Sequence, residues 1–205
     1  MCKILLGGGD SPRFGQSVLL DMFAFRHEVF YRKLGWEVQT RYQLEYDEFD
    51  DMDPVYMVAE DDGGEIEGCW RLLPTVGPYM LRDTFPQLLR GESAPGDSHV
   101  WELSRFAVAT CEDAAVKQAP LNDVTLEMIR KVYDFAVSHG IREYVTVTSV
   151  ALERLLKRTG LPIRRFGDGK AQKVGKVLTV ACHVDIDDQF RDVVYPGSRP
   201  YHRAA

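Results

Sequence analysis

Between residues 17 and 33 apolar side chains recur at Val18, Leu19, Met22, Phe23, Phe25, Val29 and Phe30, close to a helical repeat, with Arg26 and His27 on or beside the same face. Gly35 marks the end of that helix and leaves Trp36 in a loop. From Gln39 to Pro54 the period is lost. Val55 to Glu60 and Gly68 to Leu73 then predict a β-hairpin around Asp61-Asp62-Gly63-Gly64. Tyr79 to Leu89 reads as a short helix or loop carrying Phe85, and Gly91 to Asp97 as a surface loop. Residues 99 to 108 form a mostly apolar strand. Leu121, Val124, Met128, Ile129, Val132, Phe135 and Ala136 mark an amphipathic helix ended by Gly140. A strand from Tyr144 to Val150 follows, then a helix opened by Leu152, Leu155 and Leu156 and stopped at Gly160. Leu178, Val180, Cys182, Val184 and Ile186 alternate with polar and small residues as a last strand, and residues 190–205 read as a loose tail. The order helix, hairpin, strand, helix, strand, helix, strand predicts one α/β domain over residues 1–205, a central sheet with helices on its faces.

The strand at 99–108 poses the chemical question. It contains Glu102, Ser104 and Arg105, which are unfavourable to bury without partners. Strict alternation would point Glu102 and Arg105 to opposite faces. A β-bulge would bring both to one side, a device common beside active sites. A structural ion pair is the other reading. Arg71, in the second hairpin strand, likewise needs carboxylates, and the acidic loop Glu45 to Asp53 and Glu102 are the nearest of that kind.

Composition narrows the field. The chain has 205 residues, 45% hydrophobic and 27% charged, an ordinary globular balance. Cys2, Cys69, Cys111 and Cys182 have no metal-ligand spacing, so neither zinc nor a disulfide framework is expected, and the acidic loop lacks the ligand pattern of a Ca²⁺ site. With no apolar run of membrane-spanning length, and only Ile4-Leu5-Leu6 near the start, a soluble cytoplasmic protein is expected. The net charge of −6 is segregated: Glu45 to Glu67 holds eleven acids and no Lys or Arg, whereas Ala151 to Lys176 holds eight basic residues against two acids. An acidic end suits a cationic small molecule; a basic end suits an acidic partner.

Six motifs in order then give the sequence a specific likeness. They are Phe25-Arg26-x-x-Val29-Phe30, Leu34-Gly35-Trp36, Glu45-x-Asp47-x-Phe49-Asp50, Gly68 to Pro74, Pro78-Tyr79-Met80-Leu81 with Phe85, and Trp101 to Phe106. Over about residues 20 to 185 the chain resembles the LuxI-type acyl-homoserine-lactone synthases, which make quorum-sensing signals. The resemblance implies a GNAT-like mixed sheet flanked by helices on both faces. It implies S-adenosylmethionine and acyl-acyl carrier protein as substrates, with acyl-CoA possible as donor, and no separate cofactor. It carries over Arg26, Asp47, Asp50, Arg71, Glu102 and Arg105 as charged site residues and Phe30, Trp36 and Phe85 as aromatic ones, with Phe106 added beside them on the strand. Thr148 matches a threonine associated in some members with 3-oxo acyl chains.

The residue types suit that chemistry. A sulfonium and an α-amine call for aromatic faces or carboxylates, and a carboxylate calls for arginine. Glu102 is the candidate general base, and Arg71 and Arg105 are expected to pair with Asp47, Asp50 and Glu102. Met80, Leu103, Met128, Ile129, Val147, Thr148 and Leu152 are candidates to line an acyl slot. Arg154, Lys157, Arg158, Arg164 and Arg165, with Lys170, Lys173 and Lys176, are candidates to dock the acidic carrier protein. The competing reading is a GNAT-type N-acyltransferase using acyl-CoA. Ala109 to Gln118 has no glycine and two acids, which disfavours a pyrophosphate loop there. An RNA-binding protein fits less well, since Phe166 is the one aromatic residue in the basic stretch. No membrane partner is expected, and the sequence leaves the oligomeric state open.

Overall fold

The computed structural model describes residues 2–109 and 122–197. Its strands are β1 (Lys3–Gly8), β2 (Thr40–Arg41), β3 (Leu44–Glu45), β4 (Val55–Glu60), β5 (Ile66–Pro74), β6 (Val100–Val108), β7 (Glu143–Ser149), β8 (Ile163–Arg165), β9 (Gln172–Val174) and β10 (Val177–Asp185). Its helices are α1 (Gln16–Arg26), α2 (Met80–Asp83), α3 (Asp123–His139), α4 (Val150–Arg158) and α5 (Asp188–Val194). The main sheet runs β1-β4-β5-β6-β7-β10-β8, with β9 also on β10, and β2 with β3 forms a separate ribbon. Among the described residues only the β6–β7 pair in this sheet is parallel, and α3 lies in its crossover. Among the described residues no helix is long and apolar enough to cross a membrane.

Alternation along the strands builds both layers. Tyr56, Val58, Cys69 and Ala107 pack with Met22, Phe23 and Phe30 on the α1 face. Met57, Ala59, Trp70, Leu72 and Leu103 pack with Met128, Ile129 and Val132 of α3 on the other. The α3 stripe ends where Gly140, at φ +68°, takes the left-handed cap that a side chain would resist.

Two irregularities of β6 position everything that follows. First, Arg71 faces Ser104 and Cys69 faces Ala107, so Arg105 and Phe106 together oppose Trp70, a one-residue bulge. Arg105 sits at φ +57°, a left-handed conformation that is strained for a non-glycine residue by about 1–3 kcal/mol. Second, β6 and β7 pair only from Val100 with Glu143 to Leu103 with Thr146. Beyond that point β6 continues along β5 and β7 along β10, so the sheet opens. At the parting the Thr146 hydroxyl donates to the Leu103 carbonyl at 2.8 Å, replacing the ladder partner the backbone has lost.

Two features go beyond the sequence reading and one corrects it. The Gly-rich N-terminus forms edge strand β1 on β4. Strands β8 and β9 were not anticipated, being too short for a period to register. The tail is not loose from residue 190, because α5 runs to Val194 with Phe190 buried against the Tyr133 ring at 5.3 Å. The Ala109–Gln118 stretch, beyond Ala109 itself, lies outside the described residues, as does Cys111.

Candidate active site

The helix begun by α1 does not end at Arg26 but widens into a π-helical segment, His27–Lys33, closed by the Leu34 N–H donating to the Val29 carbonyl at 3.0 Å. Such segments gather at functional sites. Here it turns Arg26 and Phe30 toward the sheet and delivers Trp36 over Phe30, the rings stacked 5.1 Å apart. Below them Asp47 caps the short 3₁₀ turn Glu48–Asp51, accepting from the Phe49 N–H, while Asp50 accepts from the Asp47 N–H at 2.9 Å. This reciprocal box fixes two carboxylates facing the sheet.

Onto them converge three arginines. Arg26 donates from Nε to Glu45 at 2.5 Å and bidentately to Asp50 at 2.8 and 3.0 Å. Arg71 grips Asp47 through both terminal nitrogens, at 2.5 and 3.2 Å, lies 2.9 Å from Asp50, and donates from Nε to Ser104 at 3.1 Å. The bulge aims Arg105 onto the same face, where it donates to Glu45 at 2.9 Å and Asp47 at 2.7 Å. Three guanidinium groups thus balance Glu45, Asp47 and Asp50. Burial alone would raise the Asp50 carboxyl, but Arg26 and Arg71 outweigh it and hold it well below the usual carboxylate range. Tyr56 adds a hydroxyl to Asp50 at 2.9 Å.

Glu102 stands apart. Among the described residues it has no ion-pair partner within 4 Å, contrary to the expected pairing with Arg71 or Arg105. Its two oxygens instead accept the Met80 and Leu81 N–H groups at 2.9 and 2.6 Å, the unbonded donors that open α2. Desolvation outweighs these bonds and the nearby arginines, and pushes its carboxyl up to about 7.

A cavity of about 460 Å³ occupies the opening between β6 and β7. Its mouth on the α1 face is walled by Phe30, Trp36, Phe85, Met80, Glu102 and Arg105; its depth reaches Ile129, Val132, Leu152, Leu156 and Phe190 on the other face. Of the six charged candidates, Glu102 and Arg105 reach the wall, and Arg26, Arg71, Asp47 and Asp50 lie behind it as braces. Leu103, Val147 and Thr148 line it as anticipated, but Met128 does not: it is fully buried over Gly68, whose missing Cβ leaves room for its sulfur. Phe106 also lines the cavity, but from the α3 face, its ring 4.6 Å from Trp70, because the bulge shifts the alternation after Arg105. Glu45 was missed as a site residue; its place at the head of the Glu45-x-Asp47 motif was the available signal. The basic cluster is only partly free. Lys157 and Arg165 converge on buried Glu153, Arg164 pairs with Glu143 and Lys170 with Asp168. Among the described residues no group of three or more His, Cys, Asp or Glu side chains is placed to hold a metal ion.

The chain is similar to proteins already characterised. The profile of the autoinducer synthase family matches residues 13–194. An acyl-homoserine-lactone synthase of Aliivibrio fischeri is 43% identical over 173 residues, 84% of this chain and 89% of that one. The crystal structure of the AHL synthase LasI superposes with a TM-score of 0.86 at 34% identity, covering 99% of each chain. The CoA-dependent acyl-homoserine lactone synthase BjaI, solved with SAM and isopentyl-CoA, gives a TM-score of 0.80 at 26% identity over 95% of this chain and 88% of that one. The anticipated GNAT-like mixed sheet is the fold observed.

Proposed function

The chain belongs to the autoinducer synthase family and is an acyltransferase of the acyl-homoserine-lactone synthase kind, and on that premise we propose that it acylates S-adenosylmethionine from an acyl-acyl carrier protein and closes the product to a lactone. The observation that carries this reading is the single cavity joining an aromatic, arginine-bearing mouth to an apolar depth through the parted strands. Phe30, Trp36 and Phe85 offer π faces to a sulfonium and an adenine. Arg105 offers a guanidinium to the methionyl carboxylate. The acyl chain lies along Leu103, Val147, Thr148 and Leu152 toward Ile129.

Glu102, with a carboxyl near neutrality at the cavity wall, takes a proton from the substrate ammonium, directly or through water. The freed amine attacks the thioester carbonyl, the C–S bond of the thioester breaks, and the remaining surplus proton of the nitrogen passes to the departing sulfur, so that the donor leaves as a thiol. Backbone N–H groups at the parting of β6 and β7 are the candidates to hold the oxyanion. The methionyl carboxylate then attacks its own γ-carbon, the C–S bond breaks, and methylthioadenosine departs as a neutral thioether. That second step needs alignment more than acid or base help, and the braced arginine supplies it. The proposed steps call on no resident cofactor, and their proposed setting is the cytoplasm. Incubation with S-adenosylmethionine and a panel of acyl carrier proteins and acyl-CoAs, read by mass spectrometry, tests the scheme. Lactone with methylthioadenosine is expected from the carrier-protein donors; product from acyl-CoA alone would reassign the donor, and methylthioadenosine without lactone would refute the order of steps.

A further inference from the structure

Within the arginine cluster the guanidinium nitrogens point at carboxylate or hydroxyl oxygens except at one spot, where two of them meet a sulfur. Arg105 Nη1 faces the Met80 sulfur at 3.5 Å, and Arg71 Nη2 faces the same sulfur at 3.0 Å while sharing Asp47 at 3.2 Å. A thioether is a weak acceptor, and two cationic donors converging on one is a poor match for groups that elsewhere bind charged oxygens. The spot lies on the cavity wall, since both Met80 and Arg105 line it. Met80 is also held by its own backbone: its N–H donates to Glu102 at 2.9 Å, so its main chain is fixed while its unbranched side chain retains three rotatable bonds. We propose that the Met80 thioether is a placeholder for the substrate carboxylate. It shields the Arg71 and Arg105 donors in the free enzyme and swings aside when the methionyl carboxylate of S-adenosylmethionine takes them. This rests on the proposed substrate and identifies which two arginines hold its carboxylate. It makes Met80 a positioning residue whose displacement also brings the α-amine, one carbon from that carboxylate, toward Glu102.

The test compares equilibrium binding of S-adenosylmethionine with that of its decarboxylated analogue, which keeps the sulfonium and the amine. Wild-type protein is expected to prefer the full substrate by at least about tenfold, in line with loss of a charge-assisted pair of hydrogen bonds. Met80→Gln sets a stronger tethered acceptor on the same donors, so that preference should collapse toward unity while affinity for the analogue stays near wild type. Met80→Leu keeps the volume without the sulfur and should preserve or widen the preference. A Met80→Gln protein with an undiminished preference would overturn the proposal. If that variant does not fold, a preference in Met80→Leu reduced several-fold would overturn it instead, and a preserved one would support it. Failure of the functional reading looks different: wild-type protein would bind neither ligand or form no methylthioadenosine.

Discussion

At the scale of single residues, Glu102 sets the pH behaviour. Its carboxyl is raised to about 7 from 4.5, so the folded state keeps a proton that the unfolded chain has lost. This contribution to stability is whole below about pH 4.5 and is lost as pH rises through about 7, an effect of about 3 kcal/mol. Asp50 works in the opposite sense: its depressed pKa stabilises above its unfolded value of 3.8 and is lost as pH falls through the folded one. Urea titrations across pH should therefore place maximum stability between the two limbs. Activity runs against the upper limb, since the base must be ionised. We expect kcat/KM to rise with pH to a plateau governed by a pKa near 7, and Glu102→Gln to lower kcat by roughly 10²–10⁴-fold with the fold retained. Near-normal turnover in that variant would remove Glu102 as base. The sequence exposed the conflict between Glu102 and Arg105 but not the identity of their partners: that two amides of α2 would hold Glu102 depends on how a short helix abuts the sheet.

At the scale of elements, the bulge and the parting are the working parts of β6. A bulge was inferable because two charges on one strand needed a common face, yet its backbone signature, a left-handed arginine, was not. Removing the Arg105 side chain leaves Glu45 and Asp47 short of a donor in either variant, so the backbone term is isolated by a comparison. Arg105→Gly should be more stable than Arg105→Ala by about 1–2 kcal/mol in denaturant unfolding. Equal stabilities would mean that the left-handed turn relaxes. At the parting, Thr146→Val removes the hydroxyl that satisfies the Leu103 carbonyl and should destabilise by about 1–3 kcal/mol, measured the same way. Helices α1, α3 and α4 and strands β4, β5, β6, β7 and β10 were legible from their patterns, whereas β1 and α5 were not. The π-helical widening at His27–Lys33 was not, because its apolar spacing still satisfies a helical repeat.

At the scale of the whole molecule, the charge segregation visible in the sequence divides into a buried part and an exposed part. Several of the acidic-end carboxylates are neutralised inside by Arg26, Arg71 and Arg105, and half of the basic end is neutralised by Glu153, Glu143 and Asp168. Arg154, Arg158, Lys173 and Lys176 remain exposed without a carboxylate partner within 4 Å among the described residues. Charge reversal at Arg154 or Arg158 should raise KM for an acyl carrier protein several-fold and flatten its dependence on ionic strength, with KM for S-adenosylmethionine unmoved. Such spending of charge depends on which residues of distant segments meet, and a count along the chain cannot reveal it. The division runs deeper than charge. The arginine–carboxylate cluster is assembled from α1, β3, the Asp47 turn, β5 and β6, whereas the apolar depth draws on α3, α4, α5, β7, β8 and β10, and β5 and β6 serve both, Arg71 turned to one side and Trp70 to the other. On the proposed function, a heritable change in the deep half is expected to alter which acyl chain fits without disturbing the pairings of the other half. Lineages carrying this fold can therefore change the message they send while keeping the chemistry that writes it.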